Sequence, residues 1–391
     1  MTSAVWDVAR VFLRLGAMSY GGPALVGILQ ADIQEKRKWV SRERFVEGLA
    51  LANMLPGPLA TQLSIFLGHS RAGWLGGALA GVCFILPAFL IMLALTLAYA
   101  RYGAIPAMRG VFYGVSPVVV GIFGVAVYRL GRSAVTDVRQ AMIAVCSAVA
   151  VGLTPLGIVP GMLLAGAVGV ALYGSRTWGV AAVVAGASLF GVRFWGGEWL
   201  AVPGLSWPAF GGGVSSATPG LWEIGVFFFK VGAFTFGGGL AILAFVQEQV
   251  VNQLHWLSPQ EFLDGLALGQ LTPGPIVMLA AFVGYRVAGV WGAVVSGAAI
   301  FLPSFLLVLS VAPALERVRR IGWMSAALKG ISPAVIGMIV VALLQMLPHA
   351  LPDVITGLVT LATVVAMVAW RLGPLPLMAV GGAVGAALRA R

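Results

Sequence analysis

Leu15-Gly16-Ala17-Met18-Ser19-Tyr20-Gly21-Gly22-Pro23 stands against Val231-Gly232-Ala233-Phe234-Thr235-Phe236-Gly237-Gly238-Gly239, 216 positions later. The match runs outward from there with single-residue shifts. Trp39-Val40-Ser41 pairs with Trp256-Leu257-Ser258, and Phe45-Val46-Glu47-Gly48-Leu49-Ala50-Leu51 with Phe262-Leu263-Asp264-Gly265-Leu266-Ala267-Leu268. Pro56-Gly57-Pro58 pairs with Pro273-Gly274-Pro275, and Leu86-Pro87-Ala88-Phe89 with Leu302-Pro303-Ser304-Phe305. Gly114-Val115-Ser116-Pro117 and Gly166-Ala167-Val168-Gly169 also recur, at Gly330 and Gly382. Chance does not hold one offset over so many residues, so the chain consists of two homologous copies. The expected division is a first repeat at 1–172, a linker helix and loop at 173–220, and a second repeat at 221–391.

The composition says where these copies reside. Of 391 residues, 60% are hydrophobic and only 9% charged, against about 25% charged in soluble domains. A chain this poor in charge cannot cover itself with a soluble surface, and it is far too apolar for intrinsic disorder. At about 20 residues per span it holds roughly ten to fourteen membrane-embedded segments. The expected class is an all-α polytopic membrane protein with the lipid bilayer as its surroundings. The net charge of +11 sits mostly in short loops. It reads as topogenic charge rather than a nucleic-acid surface. Cys83 and Cys146 lie in apolar runs and read as small core residues with no disulfide. His69, His255 and His349 have no metal-ligand spacing. The N-terminus lacks the order of a cleaved signal. Gly, at 53 residues, implies close helix packing and broken helices.

An odd helix between the copies, Trp178 to Phe194, turns the second copy over if each repeat has an even number of spans. The charges agree. Residues 31–44 contain Lys36, Arg37, Lys38, Arg42 and Arg44, whereas 248–261 contain no Lys or Arg. Arg317, Arg319 and Arg320 face only Arg101 and Arg109 in the first copy. Opposite bias in equivalent loops is the mark of inverted-topology repeats. Straight spans would put the basic 31–44 loop outside. Reading 11–30 and 45–70 as re-entrant or broken helices gathers the N-terminus, 31–44, Arg129, Arg132 and Arg139 on the cytoplasmic side, with Arg371 and Arg317/Arg319/Arg320. Arg389 and Arg391 remain outside.

The breakers also mark the candidate site. Gly21-Gly22 and Gly237-Gly238-Gly239 allow tight turns, and an interrupted helix presents a new N-terminus whose N–H groups attract anions. Pro56-Gly57-Pro58 and Pro273-Gly274-Pro275 forbid regular helix. Such backbone at membrane depth must be buried in protein or line a cavity. Ser19, Asn53, Thr61 and Gln62 in the first copy, with Thr235, Gln270 and Thr272 in the second, supply polar lining. Arg14 and Lys230 are repeat mates just ahead of the glycine segments, where two cations can balance a dianion or simply snorkel to headgroups. Glycine packing and surface hairpin turns are the plainer readings of the same motifs. Glu47, Asp264, Asp32, Glu35 and Glu248 read as helix-terminal carboxylates, with proton coupling as the alternative. No phosphate loop, dinucleotide fingerprint or nucleophile elbow appears. No cofactor or enzyme activity is expected.

Phe234-Thr235-Phe236-Gly237-Gly238-Gly239, the Pro-Gly-Pro triplets and the Leu-Pro-Ala-Phe and Leu-Pro-Ser-Phe elements resemble the chromate ion transporter family, in its long two-domain form. The resemblance spans nearly the whole chain. It implies oppositely oriented halves and secondary export of chromate from the bacterial cytoplasm across the inner membrane, with sulfate as the close analogue. Pro23 opposite Gly239 and Tyr20 opposite Phe236 depart from strict repetition, so the halves need not contribute equally. A channel or transporter for another small anion fits the same residues. Monomer and homodimer are equally open.

Overall fold

The computed structural model describes residues 2–18, 24–103, 105–154, 157–177, 179–181, 183–184, 219–236, 241–312 and 322–389. Ser19, Gly21, Gly22, Gly237, Gly238 and Gly239 lie outside the described residues, as do Arg317, Arg319 and Arg320. The described part is helical, with seven helices in each copy. The first has α1 (Thr2–Met18), α2 (Ala24–Leu29), α3 (Arg42–Met54), α4 (Leu59–Tyr102), α5 (Pro106–Ala134), α6 (Val138–Leu153) and α7 (Ile158–Tyr173). The second has α8 (Leu221–Ala233), α9 (Ala241–Val246), α10 (Pro259–Leu271), α11 (Leu279–Val311), α12 (Gly322–Ala350), α13 (Val354–Ala369) and α14 (Pro374–Arg389). The mates even share irregularities, since α2 and α9 each run into a π-helical stretch, Gln30–Lys36 and Gln247–Gln253.

Local chemistry explains the boundaries. Ser41 caps α3 by accepting from the Arg44 amide, and Ser258 caps α10 with Glu261 completing a capping box. Each of these helices has 13 residues, or about 20 Å, short of the roughly 30 Å hydrocarbon core. The prolines then stop them, and the chain turns back. Gly48 faces the Phe66 ring, and Arg71 stacks on Trp39 at 5.3 Å, so α3 and the start of α4 lie antiparallel around Pro56-Gly57-Pro58. Gly265 against Phe282 and the Arg286–Glu261 ion pair repeat this around Pro273-Gly274-Pro275. These are the re-entrant hairpins expected from the breakers.

A second reversal follows inside α4 and α11. Gly73 and Gly289 both have φ 65°, preceded by Ala72 and Ala288 off the helical region. Gly68 packs back on Gly76 and Ala80, and Gly284 on Gly292. Ser296 Oγ donates to the Ala280 carbonyl at 2.8 Å across the turn. The long arm beyond each turn then crosses the structure. By length and apolarity, 59–102, 106–134, 276–311 and 322–350 suffice to span a bilayer.

Inversion is visible in how mates meet. In α4 and α11, Gly77 faces Leu309, Gly81 faces Phe305, and Phe89 faces Gly297. In α5 and α12, Gly131 faces Ile336 and Gly124 faces Leu343. Each number rises as its partner falls, so equivalent helices run antiparallel, as an axis lying in the membrane plane requires. The copies also exchange their ends. Helices α6 and α7 pack on α12, while α13 and α14 pack on α5.

Matching polar clusters tie the exchanged ends down. Asp137 caps α6 and accepts from the Tyr173 hydroxyl at 2.7 Å, with Lys329 over the Tyr173 ring. Asp353 caps α13 and accepts from the Tyr113 hydroxyl, with Arg389 over the Tyr113 ring. Tyr113 is the mate of Lys329 and Tyr173 the mate of Arg389, so aromatic and cation have changed places. The Tyr113 hydroxyl holds the Asp353 carboxyl below the usual carboxylate range. The Gln140 amide, followed by Tyr173, does the same for Asp137.

These contacts define two faces. One holds Gly103, Arg109, Ser258, Arg286, Pro352 and Arg389. The other holds Trp39, Arg71, Asp137, Tyr173 and Lys329, a long helix away. Arg129 reaches the Met367 carbonyl, which places Arg371 near this second group. Helix α7 ends there and α8 begins at the opposite face, and most of the linker helix expected at Trp178 to Phe194 lies outside the described residues. Apolar side chains cover the outer surface, among them Val138, Leu153, Val354 and Leu358. Cys83 is half-buried and Cys146 exposed on α6. The expectation of two core cysteines is therefore corrected for Cys146, which sits on the side of α6 turned away from α12.

Candidate functional site

The two hairpin tips meet the opposite copy near the middle of the structure. Helix α8 runs alongside the long arm of α11, Gly225 against Val295 and Gly232 against the Ile300 backbone, and ends just before its glycine segment. Gly16 of α1 packs on the Phe84 backbone in the same way. There the Gly57 amide donates to the Thr235 carbonyl at 2.6 Å. The first Pro-Gly-Pro tip is thus joined to the entrance of the second copy's glycine segment. Gly57 adopts φ 136°, a conformation that L side chains avoid. A Cβ there would collide with Ser304 Oγ and stand 2.5 Å from Gln62 Nε2.

Three polar side chains gather at this tip. Thr61, Gln62 and Ser304 are each 0% exposed. Thr61 Oγ1, Gln62 Oε1 and Ser304 Oγ have no hydrogen-bond partner among the described residues. Gln62 Nε2 donates to the Pro56 carbonyl at 2.6 Å, leaving its second hydrogen to give. Each buried orphan costs about 1–3 kcal/mol. A fold does not concentrate three of them at one broken turn without a use. Two hydroxyls and an amide N–H suit the oxygens of a small anion, and the Gln62 carbonyl suits a water or a protonated oxygen.

The mate tip lacks this chemistry. Gly274 faces Ala88, the mate of Ser304, and the residues opposite Thr61 and Gln62 fall within Val277-Met278-Leu279. Thr272 is buried but spends its hydroxyl on the Gly269 carbonyl at 2.8 Å. Pro273 and Pro275 are buried and Gly274 and Gln270 half-buried. In the first copy Pro58 is buried and Pro56 half-buried. Asn53 is exposed and bonds back to the Leu49 carbonyl at 2.8 Å. Thr235 bonds back to the Val231 carbonyl at 2.6 Å, so it offers the tip its backbone. Lys230 is half-buried one helical turn earlier, while Arg14 lies on the exposed face of α1 beside Leu13 and Met18.

Sequence reading named Thr61 and Gln62 but not Ser304. The signal was present as the one polar exchange within Leu-Pro-Ala-Phe and Leu-Pro-Ser-Phe. Other orphaned buried atoms belong to His69 and Ser70 at the hairpin base and to Gln247, Gln249 and Trp256 around the second π stretch. No group of three metal-ligating side chains occurs among the described residues.

If the orphans await a ligand, removing them should help the empty fold. Thr61→Val and Ser304→Ala are expected to raise the thermal midpoint of the purified protein, or leave it unchanged, since an unsatisfied polar group is replaced by an apolar one. A clear fall in midpoint for both would show that these hydroxyls hold the structure together instead.

The family described as "Chromate transporter" matches residues 6–174 and 222–386. The chain is 37% identical over 384 residues to the "Chromate transport protein" of Cupriavidus metallidurans, covering 98% of this chain and 92% of that one. It is 37% identical to the "Probable chromate transport protein" of Synechococcus elongatus, covering 97% and 94%. With the "Chromate transport protein" of Pseudomonas aeruginosa the identity is 32%, covering 92% and 86%. No solved structure matches the chain. An all-helical inverted repeat, matched in both halves and along nearly the full length of these relatives, places this chain in the chromate transporter family.

Proposed function

We propose that this protein exports chromate from the bacterial cytoplasm across the inner membrane and so confers chromate resistance. The observation that carries the reading is the orphaned trio Thr61, Gln62 and Ser304 at a broken helix tip. Chromate is a tetrahedral dianion that needs several N–H and O–H donors. The tip supplies them. A dianion leaving a negative-inside cell is driven by about 2.3 kcal/mol per charge per 100 mV. Sulfate has the same shape and charge and is the competing substrate. Uptake of labelled chromate and sulfate into inside-out vesicles separates the two. Chromate uptake outcompeted by equimolar sulfate would assign the protein to sulfate.

Sidedness follows from the positive-inside rule. The face bearing Lys36, Arg37, Lys38, Arg42, Arg44 and Arg71 is the cytoplasmic one in this reading. A cysteine placed in 31–44 should react with a membrane-impermeant thiol reagent only after the cells are opened. One in 248–261 should react in intact cells. Equal labelling of both loops from outside contradicts the assignment.

Lys230 is the cation in this reading, set five residues before Thr235. Lys230→Met is expected to weaken apparent chromate affinity roughly tenfold or more, the loss of a charge-assisted hydrogen bond of about 1.5–3 kcal/mol. Arg14→Met should lower insertion rather than affinity if Arg14 snorkels from its exposed face. Uptake normalised to inserted protein distinguishes the two effects.

A further inference from the structure

The face opposite the basic hairpin base holds a cavity of about 610 Å³. At its inner end lies Asp264, on the second re-entrant hairpin and only 6% exposed. Its Oδ2 accepts from the Tyr99 hydroxyl at 2.8 Å, and its Oδ1 accepts from Gln260 Nε2 at 3.1 Å. Gln260 Nε2 lies 3.4 Å from Ser116 Oγ, whose hydroxyl donates to the Phe112 carbonyl. These contacts join three elements, since Tyr99 is on α4, Ser116 on α5 and Asp264 on α10.

The charged neighbours leave Asp264 without an ion-pair partner among the described residues. Arg286 of α11 is taken by Glu261, and Arg389 of α14 stacks on Tyr113 of α5. Arg109 and His349 line the same cavity from α5 and α12. The mate position tells the opposite story, because Glu47 is half-exposed and paired with Arg44 at 3.0 Å. A buried carboxylate held by neutral donors, reachable from one side and present in one copy only, is costly to keep for structure alone.

We propose that Asp264 is the site at which transport is coupled to protons, a step that rests on the transport reading above. A hydronium ion in the cavity gives its proton to the Asp264 carboxylate and leaves as water. The neutral carboxyl is then a weaker acceptor for the Tyr99 hydroxyl and Gln260 amide, which frees the second hairpin from α4 and α5. Return of the proton to water on the other side completes an exchange of outward anion for inward proton. The cations Arg109 and Arg389 line the same cavity, where a departing anion passes the incoming proton.

The test uses purified full-length protein in liposomes with labelled chromate and the membrane potential clamped at zero. One arm measures exchange at equal chromate on both sides, and the other measures accumulation driven by an imposed pH gradient. Wild type should do both. Asp264→Asn should keep exchange within about twofold and lose gradient-driven accumulation at least tenfold. Tyr99→Phe should shift the pH of half-maximal accumulation while keeping its extent. The inference is overturned if Asp264→Asn still accumulates chromate against the gradient, or if it loses exchange to the same degree. Should that variant fail to fold, a pH dye trapped inside wild-type liposomes decides. Chromate exchange by wild type with no chromate-dependent proton movement overturns the inference but leaves transport standing. No chromate movement in either arm overturns the transport reading itself.

Discussion

Gly57→Ala should abolish chromate uptake while leaving most of the protein inserted. The residue sits at φ 136° with its amide on the Thr235 carbonyl, and an added methyl meets Ser304 Oγ and Gln62 Nε2 directly. Backbone strain of this kind costs on the order of 1–3 kcal/mol. Crowding at a packed position adds about 1–3 kcal/mol more. Both act where the orphaned donors must keep their spacing, so the tip moves before the bundle melts. Gly73→Ala is the control. Gly73 also has positive φ, but a Cβ there has nothing within 4 Å. Strain without collision should lower the thermal midpoint slightly and spare uptake per inserted molecule. Equal loss of uptake in both variants would reduce the first tip to an ordinary turn.

Gly330→Leu should prevent the folded protein from surviving in detergent. Helices α7 and α12 touch backbone to backbone at this point. A Cβ on Gly330 collides with the Ala165 carbonyl oxygen and comes within 2.8 Å of the Gly169 backbone. Gly114, its mate, stands in the same relation to the Gly381 carbonyl oxygen and the Gly385 amide. A leucine has no flexible side chain to displace, so the helices must separate. That separation undoes the exchange of helix ends that joins the copies, and the cost exceeds the about 1–3 kcal/mol of ordinary overpacking. Gly357→Leu, at a position with nothing within 4 Å, should be tolerated. The measurement is the thermal midpoint by size exclusion. A Gly330→Leu protein as stable as Gly357→Leu would show that the close approach of α7 and α12 is not what binds the halves.

Much of this architecture was legible because its causes are local. Prolines in Pro56-Gly57-Pro58 remove amide donors wherever they occur, so the hairpin tips could be placed from sequence. Lys and Arg in 31–44, absent from 248–261, reported inversion because charge crosses a bilayer at high cost wherever it lies. The second reversal was hidden. Ala72-Gly73 and Ala288-Gly289 carry no proline and sit inside apolar runs, so only their recurrence in both copies distinguishes them from helix. The crossing of α6–α7 onto α12 and of α13–α14 onto α5 was hidden for another reason. Which apolar face meets which is a choice among similar surfaces, settled by glycines such as Gly114 and Gly330 that look alike in sequence.

The site was legible in part for the same reasons. Thr61 and Gln62 adjoin a breaker and were found. Ser304 lies 242 positions from Gln62, in the opposite copy, and pairing across copies leaves no trace in local sequence.

 Asp264 has the look of a helix-terminal carboxylate in the sequence because it stands near the start of α10. Its burial depends on Tyr99 and Ser116 arriving from the other copy. Arg14 and Lys230, equal by repeat, differ in the fold because α1 turns Arg14 to the exposed face while Lys230 is half-buried. Asn53 likewise bonds to its own helix rather than to the tip.

The central claim is that the first hairpin tip, and not its mate, binds the transported anion. Labelled chromate uptake into inside-out vesicles, normalised to inserted protein, tests it with two variants. Thr61→Val with Ser304→Ala removes both orphaned hydroxyls of the first tip. Thr272→Val with Ala88→Gly alters the second tip by a similar amount of side chain. The first variant is expected to lose chromate uptake at least tenfold with its thermal midpoint kept, while the second stays within about twofold of wild type. Wild-type uptake by the first variant, or equal losses in both, would contradict it.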